Sequence, residues 1–122
     1  METERQAAAV GGKTYFIGIG GISMSSLALM AKSNGIEVAG YDRTESAMTH
    51  RLEKAGITVH YAYSPDNAVG MELAVYTSAI RPDDPELLRV RELGIPTMTR
   101  AEYLGRLMLG YRTRIGVAGM HG

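Results

Sequence analysis

The sequence predicts an α/β fold: a Rossmann-like, open, mostly parallel, doubly wound sheet with helices on both faces, forming a single domain. From residue 13 onward, short β-prone runs alternate with helical patterns, and glycine, proline or a capping residue marks each junction. That alternation favours parallel strands with crossover helices. The stretch "YFIGIGGISMSS" (15–26) places three glycines between a strand and a helix. With 122 residues, 45% of them hydrophobic, the chain can bury one core.

The predicted elements follow that alternation along the chain. Strands are expected at residues 14–19, 37–42, 57–61, 72–77, 95–99 and 114–119. The first helix has apolar residues at positions 24, 27, 28 and 31 and stops at Asn34-Gly35. The second helix is capped by Thr44 or Ser46. The third starts at Asp84-Pro85, and the fourth runs from residue 100 to Gly110.

Composition excludes several classes of function. Thirteen basic residues balance thirteen acidic ones, so no net field favours nucleic acid or an anionic membrane. The chain has no cysteine, and its three histidines show no ligand spacing, so no metal site is expected. No apolar run reaches the roughly 20 residues of a membrane span, and no signal sequence is visible, so a cytoplasmic protein is expected. Residues 1–12 are expected to form a flexible leader.

The glycine turn predicts a diphosphate site. A strand that passes through glycines into a helix directs backbone N–H groups and the positive end of the helix dipole at one point. Gly18 would allow the tight turn, while Gly20 and Gly21 would let a phosphate approach the main chain without meeting a Cβ atom. Asp42 ends the second strand about 20 residues later, where such folds place a carboxylate that contacts a ribose or base.

The residues alone leave the ligand open. The third glycine of the usual fingerprint is replaced by Ser23, and the turn could be purely structural, as Asp42 could be a solvated strand end or helix cap. A dinucleotide such as NAD or FAD and the diphosphate of a UDP-sugar both suit this pattern. A regulatory nucleotide-binding module is a third possibility.

Five motifs in order resemble the N-terminal domain of the Mur ligases, the ATP-dependent amide-forming enzymes of peptidoglycan synthesis. They are "GIGGISMSS" (18–26), Gly40-Tyr41-Asp42, "TSAI" (77–80) with "DPE" (84–86), "GIP" (94–96) with "RAEYL" (100–104), and the closing "GMHG" (119–122), which is similar to the start of the family's ATP loop. The resemblance covers nearly all of residues 13–122. It is closest to the branch that adds L-alanine to UDP-N-acetylmuramic acid.

The resemblance implies a site for UDP-N-acetylmuramic acid. The backbone from Gly18 to Ser23 would cradle the diphosphate, and the end of the second strand with its loop would contact the uridine. The implied binding residues are Gly18, Ile19, Gly20, Gly21, Ile22, Ser23, Asp42, Arg43, Asn67, Ser78, Ala79 and Ile80. The chain departs from the family pattern where Ser23 and Ser26 replace glycines, and where Ala62-Tyr63 replaces a Gly-His pair.

The resemblance also implies which chemistry lies elsewhere. Residues 13–111 would form the UDP-sugar-binding domain, and residues 112–122 would begin a central ATPase domain, with Gly119, His121 and Gly122 in a truncated ATP loop. ATP and Mg²⁺ would serve the full-length enzyme, with the remaining ligase domains in cis. The 122-residue chain itself would have no catalytic residue, no metal and no cofactor. The ligase that recycles a murein tripeptide, or an NAD-binding oxidoreductase, remains an alternative.

Overall fold

Five parallel strands form one sheet at the centre of the fold. The computed structural model describes residues 12–115, with side chains described up to residue 109. The strands lie in the order β3-β2-β1-β4-β5. Their bounds are Thr14–Ile17 (β1), Val38–Tyr41 (β2), Thr58–His60 (β3), Leu73–Tyr76 (β4) and Thr97–Thr99 (β5). The predicted α/β class with parallel strands is confirmed, and each strand is one or more residues shorter than its β-prone run.

Three of the four helices connect successive strands and the fourth follows β5, and side-chain caps explain where two of them begin. Their bounds are Ile22–Ser33 (α1), Ala47–Lys54 (α2), Pro85–Glu92 (α3) and Arg100–Ile115 (α4). Ser46, and not Thr44, caps α2, and its side chain accepts a hydrogen bond from the Thr49 N–H in a capping box. The Asp84 carboxylate caps α3 as predicted, with Pro85 in the first turn.

The two faces of the sheet carry separate apolar clusters. Phe16 of β1 packs on one face with residues of α1, α2 and α4, and its ring meets Tyr103 edge-on at 5.6 Å between centroids. Tyr15 and Ile17 point to the other face, where α3 and the segment around Ala68 cover them. This alternation along a fully buried central strand is typical of a sheet with helices on both sides.

The end of α4 corrects one expectation. The helix runs through Gly110 to Ile115, so the prediction that Gly110 ends it is wrong. One glycine lowers helix stability by only about 1 kcal/mol relative to alanine, and without a left-handed residue after it the helix continues. Residues 114 and 115, predicted to open a sixth strand, are helical. The rest of that strand, residues 116–119, and the truncated ATP loop lie outside the described residues, and the domain boundary at 111/112 stays a prediction.

Two glycines offer a matched test of packing. A Cβ atom at Gly40 would lie 2.6 Å from the Phe16 carbonyl oxygen and 2.6 Å from Ile19 Cδ1, whereas one at Gly105 would meet nothing within 4 Å. Gly40→Ala is therefore expected to lower the free energy of unfolding by about 1–3 kcal/mol. Gly105→Ala, inside α4, should raise it by up to about 1 kcal/mol. Urea denaturation measures both, and equal effects would contradict this account.

Candidate functional site

The candidate site lies at the carboxyl ends of the strands, where the chain reverses its direction across the sheet. From β1 the chain moves outward to β2 and β3, then returns to β4 on the other side of β1. In open α/β sheets this switch point leaves a crevice in which ligands bind. The glycine turn follows β1, Asp42 follows β2 and Ser78 follows β4, so the structure brings the predicted residues to one edge of the sheet.

The glycine turn is hydrogen-bonded within the protein itself. Gly18 has φ +81°, which permits the tight turn. The N–H groups of Gly18 and Ile19 donate to the Tyr41 carbonyl at 2.7 and 2.9 Å, and the Gly21 N–H donates to the Gly18 carbonyl at 3.2 Å. The Ile19 side chain is fully buried in the core. These backbone donors already have acceptors, so the predicted cradle cannot consist of the whole turn.

The lack of a side chain at Gly20 makes room for Asp42. A Cβ atom at Gly20 would lie 2.8 Å from Asp42 Oδ2 and 3.0 Å from Thr49 Cγ2, and the Gly20 N–H donates to the same Oδ2 at 2.8 Å. This differs from the expected reason, the approach of a phosphate. At Gly21 the nearest atom to a Cβ would be the Gly18 carbonyl oxygen, at an ordinary 3.6 Å.

The first turn of α1 presents the donors that remain open. Gly21 provides no side-chain cap, no acidic residue lies in the first turn, and the first helical bond runs from the Ser25 N–H to the Gly21 carbonyl at 2.8 Å. The N–H groups of Ile22, Ser23 and Met24 therefore have no acceptor among the described residues. Open N–H groups at the positive end of a helix, here one of 12 residues, favour a negatively charged ligand.

The serines that replace glycines in the motif do not close this site. Ser23 is exposed, and its hydroxyl makes no hydrogen bond to another described residue, so it is free to serve as a further donor. The Ser26 hydroxyl instead donates to the Ile22 carbonyl at 3.1 Å. Helix α1 instead packs against the core through the buried Met24, Leu27, Ala28 and Ala31. A third glycine for close helix packing is therefore not needed at position 23.

Asp42 connects three segments of the site. Its Oδ2 accepts from Gly20, its Oδ1 accepts from the Thr44 N–H at 2.9 Å, and its own N–H donates to the His60 carbonyl at 3.0 Å. Each carboxylate oxygen keeps a second lone pair that could accept a ribose hydroxyl. Asp42 thus shapes the glycine turn, a role that sequence reasoning missed because it depends on contact across 22 residues.

The other predicted binding residues surround this edge at different depths. Arg43, Ser78 and Ala79 are exposed. Ile80 is half-buried and packs against the second apolar cluster. The Asn67 amide donates to the Ala62 carbonyl at 3.0 Å and so closes its own loop.

Glu86, which the sequence analysis placed in the "DPE" motif without a role of its own, is a buried carboxyl beside β1. Glu86 is 2% exposed, and its Oε1 accepts a hydrogen bond from the Tyr15 hydroxyl at 2.6 Å, while Oε2 has no partner among the described residues. Burial raises the pKa of the Glu86 carboxyl above its usual value. Burial and the adjacent Glu86 also raise the pKa of the Tyr15 hydroxyl well above its usual range, so this hydroxyl remains a donor.

The described residues do not indicate a metal site or a membrane span. No group of three or more His, Cys, Asp or Glu side chains in residues 12–109 is arranged to hold a metal ion. No helix within the described part of the chain is long and apolar enough to cross a membrane.

Glu86 makes stability depend on pH. Because its folded-state pKa lies above the usual value of 4.5, its stabilising contribution is complete below about pH 4.5 and is lost as pH rises through the folded-state pKa. Glu86→Gln removes this titration. The free energy of unfolding of this variant should therefore rise relative to that of wild type as the pH increases from 4 to about 8. Urea denaturation across this range measures the difference. Glu37→Gln, at an exposed carboxyl, is the control, and parallel profiles for all three proteins would refute the assignment.

Gly20→Ala and Gly21→Ala separate the two glycines of the turn. The first places a methyl group against the bonded Asp42 and should cost about 1–3 kcal/mol. The second has room and should change the free energy of unfolding by less than about 1 kcal/mol. Chemical denaturation measures both, and a larger loss for Gly21→Ala would contradict the described packing.

Comparisons with known proteins show the family to which the chain belongs. The protein-family model described as "Mur ligase family, catalytic domain" matches residues 13–112. The chain is 44% identical over 110 residues to UDP-N-acetylmuramate–L-alanine ligase of Clostridium novyi. The aligned region covers 90% of this chain and 24% of that protein. The chain thus spans about a quarter of the length of this curated relative.

Two solved structures show the same fold. The crystal structure of UDP-N-acetylmuramate-alanine ligase from Thermotoga maritima has a TM-score of 0.71 and 40% identity, covering 75% of this chain and 21% of that one. A murein peptide ligase from Psychrobacter arcticus has a TM-score of 0.69 and 26% identity, over 75% of this chain and 20% of its own. The resemblance that the motifs predicted is confirmed, and the chain belongs to the Mur ligase family.

Proposed function

We propose that this chain is the N-terminal substrate-binding domain of a UDP-N-acetylmuramate–L-alanine ligase and holds the UDP part of UDP-N-acetylmuramic acid. The observation that carries the proposal is the open first turn of α1. Its three N–H groups without acceptors and the exposed Ser23 side chain directly follow the turn in which the Gly20 N–H donates to Asp42. A diphosphate bound there would receive charge-assisted hydrogen bonds without any lysine or arginine.

The order of the strands would set the direction of the nucleotide. With the diphosphate at α1 after β1, the ribose would lie toward Asp42 after β2, and the base toward the end of β3. The muramyl group would extend the other way, toward the loop after β4 that contains Ser78 and Ile80. In this proposal the remaining ligase domains, with ATP and Mg²⁺, carry out amide formation.

The alanine-adding branch is the better-supported one. The chain is 44% and 40% identical to two ligases named for alanine, against 26% for the murein peptide ligase. The family resemblance implies the same UDP-sugar for both branches, so the proposed nucleotide site would serve either one. The difference lies in the amine that the full-length enzyme accepts.

A backbone substitution tests the diphosphate site directly. Ile22 is the first helical residue and its side chain is 83% exposed, so proline fits there and removes one open N–H without disturbing the core. Ile22→Pro should weaken UDP binding about tenfold or more, the effect of one charge-assisted hydrogen bond. Ile22→Ala keeps the N–H and should bind at least fivefold more tightly than the proline variant, by calorimetry or amide shifts at residues 22–24.

The ligand itself is tested by titrating UDP-N-acetylmuramic acid, UDP and NADH separately into the wild-type chain. Uridine nucleotides are expected to shift the amide signals of residues 22–24. Binding of NADH, and of neither uridine nucleotide, would reject the proposal in favour of a dinucleotide site. No response to any of the three would leave a module that only mediates protein contacts.

A further inference from the structure

The segment between β3 and β4, residues 61–72, runs from the carboxyl end of β3, past β2 and β1, to the start of β4 without forming a helix. We call it the β3–β4 loop. Most of its bonds are local: the Asn67 amide donates to the Ala62 carbonyl at 3.0 Å, and the Asn67 N–H donates to the Ser64 carbonyl at 3.1 Å. Ala68 is buried in the second apolar cluster and anchors the later part of the loop. The earlier part, residues 61–66, is half-buried or exposed.

Helix α3 contacts that earlier part of the loop through Arg89. Arg89 Nε donates to the Pro65 carbonyl at 2.8 Å, and its NH1 group is 3.0 Å from Glu92 Oε1. The Arg89 side chain is 27% exposed, so this contact is partly shielded from water. The planar Arg89 guanidinium therefore connects the Glu92 carboxylate of α3 to the loop. Because the guanidinium is rigid, it restricts the movement of the loop at Pro65.

The β3–β4 loop begins where the proposed nucleotide would place its base. The diphosphate donors follow β1, Asp42 follows β2, and β3 is the next strand outward. A nucleoside that extends from α1 past Asp42 reaches the end of β3, where the loop starts. Because loops carry recognition when a rigid scaffold holds them, the conformation of residues 61–66 would decide which base is accepted.

We propose that Arg89 is a positioning residue for base recognition. By holding the Pro65 carbonyl, it fixes the β3–β4 loop in the conformation that distinguishes uracil from other bases. This inference rests on the proposed function. Arg89 belongs to none of the motifs that carry the family resemblance, and only the folded chain brings it to a loop 24 residues earlier in the sequence.

The test compares UDP, CDP and inorganic pyrophosphate. Uracil presents an N3–H donor and an O4 acceptor, whereas cytosine presents an N3 acceptor and an N4 amino donor, so a loop that contacts this edge must tell them apart. Pyrophosphate reports on the α1 site alone. The wild-type chain is expected to prefer UDP over CDP by about tenfold.

Arg89→Gln should lower that UDP preference about fivefold or more, while its affinity for pyrophosphate stays within about twofold of wild type. Glutamine favours helix and the site is at the surface, so the fold is retained. Arg91→Gln makes the same change of charge on the same helix, but Arg91 lies over the Tyr76 ring at 5.8 Å and makes no hydrogen bond to the described residues of the loop. This control is expected to keep the preference of the wild type.

An unchanged UDP preference in Arg89→Gln would overturn the inference and leave the proposed function standing. An equal loss in Arg91→Gln would also overturn it, because the cause would then be charge and not the contact with Pro65. If the wild-type chain binds pyrophosphate but neither nucleotide more tightly, the proposed function and this inference both fail.

Discussion

The hydrogen bonds between the glycine turn and the end of β2 are the constraint on which the site depends. The Tyr41 carbonyl accepts from both Gly18 and Ile19, and Asp42 accepts from Gly20. The N–H groups of Gly18, Ile19 and Gly20 therefore already have acceptors within the protein. What remains open is the first turn of α1, whose N–H groups cannot find partners within the helix. The open donors therefore lie a few residues after the glycines, in the helix, and the proposed diphosphate site lies there too.

Packing at the same junction explains why the glycines are needed. Gly40 leaves room for the Ile19 side chain and for the main chain of β1, and Gly20 leaves room for Asp42. Both are close approaches within the protein. In the proposed site the glycines thus let the turn lie against β2, and the resulting position of α1 leaves its first N–H groups at the crevice.

On the face of the sheet opposite α1, helix α3 contacts both β1 and the β3–β4 loop. Glu86 accepts from Tyr15 in the interior, and Arg89, one turn later on the helix, holds Pro65 in the β3–β4 loop. A buried carboxyl with an unpartnered oxygen lowers stability unless it stays protonated, and its raised pKa favours that form. Helix α3 thereby contacts both the central strand and the loop that would face the base.

Local spacing was sufficient to predict the α/β class, the order of elements up to α4, the cap at Asp84 and the strand–glycine–helix junction, because each depends on residues within a few positions of one another. Local spacing gave a wrong prediction at Gly110, because the weak tendency of one glycine to end a helix did not stop α4, which continues to Ile115. The tertiary structure decided the rest. The bond from Gly20 to Asp42 spans 22 residues, from Arg89 to Pro65 24 and from Tyr15 to Glu86 71. Such pairs meet only after strand order and register are set, so no spacing along the chain encodes them.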